Sequence, residues 1–117
     1  MGKRKFQELK IWEKSHQLTL LIYKISSKLP RFEDFAMSSQ IRRAAFSIPA
    51  NIAEGCVKSR QTFLNHLTIA NGSLEELKYF LILSKDLHYI VENEFLEAYS
   101  LCEEVGKMIN SFVKNMR

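Results

Sequence analysis

From Phe63 to His88 the apolar positions keep one spacing without a break. Phe63, Leu67, Ala70, Leu74, Leu77, Leu81, Ser84 and His88 lie 4, 3, 4, 3, 4, 3 and 4 residues apart. That alternation places them along one stripe of a single long helix, a stripe that only other helices can cover. Ser59 or Thr62 can cap its start, because a hydroxyl there accepts a hydrogen bond from an otherwise unpaired N–H of the first turn. This segment, over 60–88, constrains the rest of the 117 residues.

Three more segments read the same way. Over 9–29, Ile11, Ser15, Leu18, Ile22, Ile25 and Leu29 form a seam that stops at Pro30, since the residue before a proline is forced out of helical geometry. Over 38–55, the inner stripe is Met37, Ile41, Ala45, Ile48 and Ile52, with small residues around it. Pro49 falls inside this stretch, where it removes a hydrogen bond at a cost of about 3 kcal/mol. The apolar spacing carries across the proline, which favours one kinked helix over two pieces. Over 94–115, after Asn93 as a candidate cap, the seam is Phe95, Tyr99, Cys102, Gly106, Ile109, Val113 and Met116. Connections of a few residues force successive helices antiparallel. The expectation is an all-α, antiparallel up-down-up-down four-helix bundle forming a single domain over 1–117.

Two helices show more apolar surface than one seam requires. Leu101, Val105, Met108 and Phe112 lie roughly 90° from the fourth helix's seam, and Leu9, Trp12, His16, Leu20 and Tyr23 about 120° from the first helix's. Self-association through Leu9, Trp12, Leu20, Tyr23, Leu101, Val105, Met108 and Phe112 is the favoured reading; a wide core face is the alternative.

Chemistry is sparse. Glu13 and His16 match one half of the paired Glu-x-x-His arrangement of di-iron bundles, but Phe63 and Lys85 stand where His66 and His88 would need glutamates. No glycine-rich phosphate loop occurs, and Cys56 and Cys102 sit apart, with no metal-ligand spacing and no spacing that demands a histidine partner. His16 and His88 read as core-edge residues and His66 as a seam-flanking one. The expectation is a protein with no catalytic residues, no metal and no cofactor. No stretch approaches the roughly 20 apolar residues of a membrane span, and no signal-peptide pattern opens the chain, so a cytoplasmic location is expected.

A polar stripe on the second helix carries more information. Gln40, Arg43, Ser47, Asn51 and Glu54 share one flank, and Arg43 and Glu54 are too far apart to pair with each other. On the third helix Gly72 suggests a close approach, beside Ser73 and Glu76 on a common face. A network tying the second helix to the third, or to a neighbouring chain, is the first reading; a ligand site and a solvated face are the others. Charge is also uneven. Residues 1–60 hold twelve Lys/Arg against five Asp/Glu, whereas residues 61–117 hold five against eight. Lys3, Arg4, Lys5, Lys10, Lys14, Arg42, Lys58 and Arg60 are the candidate nucleic-acid-binding surface. With few aromatics beyond Phe6 and Trp12, binding there would be mainly electrostatic.

Several blocks carry a family resemblance: Leu9-x-Ile11-Trp12-x-Lys14, Leu29-Pro30, Ser39 to Ala44, Ser47 to Gly55, and Ala70 to Leu77. Together they resemble the bacterial four-helix-bundle family called the intervening-sequence protein of large-subunit ribosomal RNA. The resemblance implies an up-down bundle and a homo-oligomer, with a pentamer as the expected form. It also implies a possible RNA or DNA partner, because a similar protein, the accessory factor of diversity-generating retroelements, binds nucleic acid and a nucleic-acid enzyme, reverse transcriptase. One departure bears on this. The family usually continues past the Glu54-Gly55 pair with a further Gly and an Arg, whereas Val57 and Lys58 follow Cys56 here. Lys58 keeps the positive charge but not a guanidinium's two-pronged contact to phosphate. The reading that results is a self-associating bundle that binds nucleic acid, RNA before DNA, or a nucleic-acid enzyme. A structural or adaptor oligomer without a nucleic-acid role is the alternative.

Overall fold

The computed structural model describes residues 5–116. Four helices account for nearly all of it: α1 (Lys10–Ser26), α2 (Met37–Gly55), α3 (Arg60–Asp86) and α4 (Glu92–Met116). Short 3₁₀ turns at Phe6–Glu8 and Arg31–Glu33 precede α1 and α2. Each helix packs against its neighbours in sequence, and α1 against α4 closes the square; the backbones of the diagonal pairs α1–α3 and α2–α4 stay further apart. The body measures 45 × 24 × 20 Å, and no helix is long and apolar enough to cross a membrane.

The seams read from spacing on α1, α2 and α3 form most of the core. On α4 the buried line is instead Phe95, Ala98, Cys102, Val105 and Ile109, and Tyr99, Gly106, Val113 and Met116 of the expected seam are only half-buried. Leu18, Ile22, Ile41, Ala45, Ile48, Ile52, Phe63, Leu67, Leu77, Leu81, Cys102 and Ile109 are all fully buried. Helix ends differ from expectation for local reasons. Ahead of Pro30, α1 tightens into successive three-residue turns, with the Lys28 and Leu29 N–H groups donating to Ile25 and Ser26 carbonyls. Ser59 caps α3, accepting from the Thr62 N–H at 3.3 Å. At its other end α3 stops at Asp86, two residues short of the expected 88, and His88 adopts a left-handed φ of 63° and is exposed, not core-edge. Asn93 is not the cap of α4 either. The helix begins at Glu92, and Glu94 reaches back to accept from the Val91 N–H at 3.0 Å, one half of a capping box.

α2 runs unbroken through Pro49. Proline has no N–H, so the carbonyl of Ala45, four residues earlier, lacks its helical donor. The buried Thr19 hydroxyl of α1 lies 3.2 Å from that carbonyl and 2.9 Å from the Ser15 carbonyl, so one donor is shared between them. The orphan acceptor created by the proline is thus met from the neighbouring helix.

Candidate functional site

The polar stripe divides into two parts. Its uncharged middle forms a chain of hydrogen bonds between α2 and α3. His66 Nδ1 lies 2.9 Å from Asn51 Oδ1. Asn51 Nδ2 donates to the Ser47 carbonyl at 2.8 Å and to Ser47 Oγ at 3.1 Å. The Ser47 and Ser73 hydroxyls lie 2.9 Å apart. Because the Asn51 amide is oriented by two acceptors on Ser47, its oxygen faces His66, and His66 must donate from Nδ1. Donation then runs one way from His66 through Asn51 to Ser47, so each of these bonds polarises the next, and the Ser47–Ser73 hydroxyl pair, in which either can donate, ties α2 to α3. Below this chain Gly55 lets the helices close: a Cβ there would sit 2.8 Å from His66 Cβ and 2.9 Å from Phe63 Cδ1. His66 was missed as a network member, although it stands seven residues before Ser73 and so on the same face of α3.

The charged members and Gln40 take no part. Arg43, Glu54, Gln40 and Glu76 are exposed, and among the described residues Arg43 and Glu54 make no hydrogen bond or ion pair within the chain. Gly72 is not a close-approach glycine, since nothing lies within 4 Å of a Cβ built on it.

The second apolar stripes turn inward more than expected. Leu9 and Val105 are buried in the chain's own core. Trp12, Leu101, Met108 and Phe112 are half-buried against it, Phe112 meeting the Phe63 ring edge-on at 5.6 Å. Each helix of a square bundle has two neighbours, so a stripe about 90° from the seam covers the adjacent helix. Of the eight positions expected at a subunit interface, only Leu20 (58%) and Tyr23 (46%) are exposed.

The basic residues separate into groups. Lys3 and Arg4 lie outside the described residues. Lys14 is paired with Glu104 at 3.2 Å. Arg42 is remote from Lys58 and Arg60: thirteen residues separate it from Gly55 at the end of α2, about 20 Å along the axis. There its Nε donates to Ser26 Oγ at 2.9 Å, and its guanidinium lies 5.7 Å over the Tyr23 ring. Lys5, Lys10, Lys58 and Arg60 do come together, because the start of α1 and the α2–α3 turn share one end of an antiparallel bundle. The end of α4 adds Lys107 and Lys114, which charge asymmetry along the sequence could not reveal. Glu8, Glu13, Glu54 and Glu104 are carboxylates within a turn of these cations, Glu104 being held by Lys14, and none of the six cations is ion-paired among the described residues. A groove of about 500 Å³ opens here between Lys10 and Lys107, floored by Leu9, Ile11, Met108 and Phe112. At the opposite end Glu33, Asp34, Asp86, Glu92, Glu94 and Glu97 outnumber Lys24, Lys28, Arg31 and Lys85. Glu94 there is held below the usual carboxylate range by its hydrogen bond to Lys28 and by the Val91 N–H.

No cluster of three or more His, Cys, Asp or Glu side chains able to hold a metal occurs among the described residues. Both thiols are buried, and burial pushes Cys102 up to about 12, which keeps it protonated and inert as a nucleophile. His16 is exposed and stacks on Trp12 rather than lying at the core edge.

Fold and surface together define an all-α four-helix bundle, polarised in charge from end to end and laced by an α2–α3 polar chain. The model of the 23S rRNA-intervening sequence protein matches residues 7–111, and the chain belongs to that family. A solved protein of unknown function from the S23 ribosomal protein family of Bacteroides thetaiotaomicron VPI-5482 is similar at 31% identity and a TM-score of 0.81, over 89% of this chain and 95% of that one. Among curated proteins none matches.

Proposed function

We propose that this chain is a non-enzymatic bundle that binds nucleic acid, RNA before DNA, through the basic end. The observation that carries the reading is the placing at that end of six cations from three separate segments, none of them ion-paired among the described residues. Cations without internal carboxylate partners are free to neutralise phosphates, and each contact releases counterions. The family's connection with ribosomal RNA genes is consistent with this and says nothing of activity. Self-association, with a pentamer as the form suggested by resemblance, would repeat the basic end and let several copies act on one strand.

The test is fluorescence anisotropy with unrelated RNA and DNA strands across a salt series. Affinity should fall with a log–log slope of about −0.7 per phosphate contacted on single strands. Lys10→Ala/Lys58→Ala/Arg60→Ala should weaken binding and flatten the slope by about two units, whereas Lys14→Ala should change little. No binding at about 50 mM salt would reject the reading, because the Debye length there still exceeds about 10 Å. The case would then pass to an adaptor oligomer, or to docking on a nucleic-acid enzyme. What supports an adaptor is the exposed, unpartnered Arg43 and Glu54, together with the fully exposed Phe35.

A further inference from the structure

Phe6, Trp12 and His16 are the rings nearest the basic end on the outer side of α1, and the structure joins them. Phe6 meets Trp12 edge-on, with centroids 5.0 Å apart, and His16 lies flat on Trp12 at 4.9 Å with only 10° between the planes. Trp12 is half-buried and packed against the core, which anchors the stack. His16 is exposed, and since Trp12 covers one face, the open surface is the other face and the ring edges. An exposed flat ring braced from one side is a ready surface for another flat ring.

A second ring stands on the same side of α1. Tyr23 is seven residues beyond His16, about 10 Å along the axis, and carries the Arg42 guanidinium over its ring. Leu20, between them, and Phe46 of α2, one turn beyond Arg42, are exposed and apolar. This flank therefore presents rings and apolar surface in a row that begins beside Lys5 at the basic end. Glu13 is its exposed carboxylate on α1.

We propose that His16, backed by Trp12, is a stacking platform for an unpaired nucleobase, and that the α1–α2 flank leading to Tyr23 and Arg42 takes a single strand. The inference rests on the reading of the basic end given above and adds to it a preference for unpaired over duplex nucleic acid. Every base has a π-face, so the platform is tolerant of sequence while still requiring a base. A duplex keeps its bases stacked on each other and offers only phosphates.

Trp12 is the chain's one tryptophan, so its emission reports directly on the stack. The experiment titrates the full chain with single-stranded RNA, with an abasic sugar–phosphate strand of equal length, and with duplex. The unmodified single strand should change Trp12 emission and bind at least about 5-fold more tightly than the abasic strand. His16→Ala should remove that advantage while leaving abasic binding unchanged, and His16→Phe should restore it. Equal binding of base-bearing and abasic strands, with unchanged emission, would overturn the platform and leave the electrostatic reading standing. Failure of every strand to bind would overturn both. Emission that instead follows protein concentration without nucleic acid would assign the rings to a contact between copies, which also overturns the platform.

Discussion

Thr19 illustrates how one hydroxyl can permit a residue that helical rules disfavour. Pro49 leaves the Ala45 carbonyl without its helical donor, and the Thr19 hydroxyl supplies one from the neighbouring helix. Removing it leaves a buried acceptor unmet, at a cost of about 1–3 kcal/mol. Thr19→Val should lower stability by that amount in chemical denaturation. The same substitution made in a Pro49→Ala background should cost clearly less, because alanine returns the N–H to the Ala45 carbonyl. Equal costs in the two backgrounds would show that the hydroxyl acts only through its Ser15 bond, a separation that a double-mutant cycle resolves. His66 makes a related point, since its tautomer follows from the Asn51 amide, and the amide's orientation from Ser47.

At the scale of helices, the α2–α3 contact depends on Gly55 and not on Gly72. A methyl group on Gly55 would press into His66 and Phe63, whose Cβ and ring are held in place, so Gly55→Ala should destabilise by about 1–3 kcal/mol. Gly72 lies within α3, where a Cβ meets open space, so Gly72→Ala should stabilise by about 1 kcal/mol through helix propensity alone. Opposite signs from the same substitution, read in one set of urea curves, check the geometry; the same sign at both positions would contradict it. The stripes follow similar logic. Leu101, Met108 and Phe112 cover adjacent helices, and a wide apolar sector is what a corner of a square bundle requires.

For the molecule as a whole, the question is what meets Arg43 and Glu54. In an isolated chain each is an exposed charge, and Arg43→Ala or Glu54→Ala should change stability by less than about 1 kcal/mol. If a neighbouring copy pairs with them, light scattering should give multiples of the 13.7 kDa chain mass. Arg43→Glu should then shift the wild-type assembly toward smaller species. A mass of one chain at all micromolar concentrations would remove self-association from the proposal. The charge polarity from end to end bears on binding in the same way: the basic end offers phosphates a concentrated target, whereas a net +4 spread evenly would not.

The four helices, the seams of the first three and their antiparallel order were legible in the sequence, because side-chain burial on a helix follows a period that spacing alone reveals. On α4, where apolar residues fill a wide sector, spacing did not tell Ala98 and Val105 from Tyr99 and Gly106 as the buried line. The α2–α3 polar contact was legible in part: Ser47, Asn51 and Ser73 share flanks by arithmetic. Which residues meet across helices was not, and only tertiary structure decided it. It drew His66 into the hydrogen-bond chain and left Arg43 and Glu54 outside it. It parted Arg42 from Lys58 and Arg60 while adding Lys107 and Lys114 to the basic end, and it stacked Phe6, Trp12 and His16. The physical reason is that periodicity fixes angles about one helix axis, whereas a site is a set of distances between axes. Those distances are set by how closely the seams pack, here by Gly55 between α2 and α3 and by the square closure of α1 on α4.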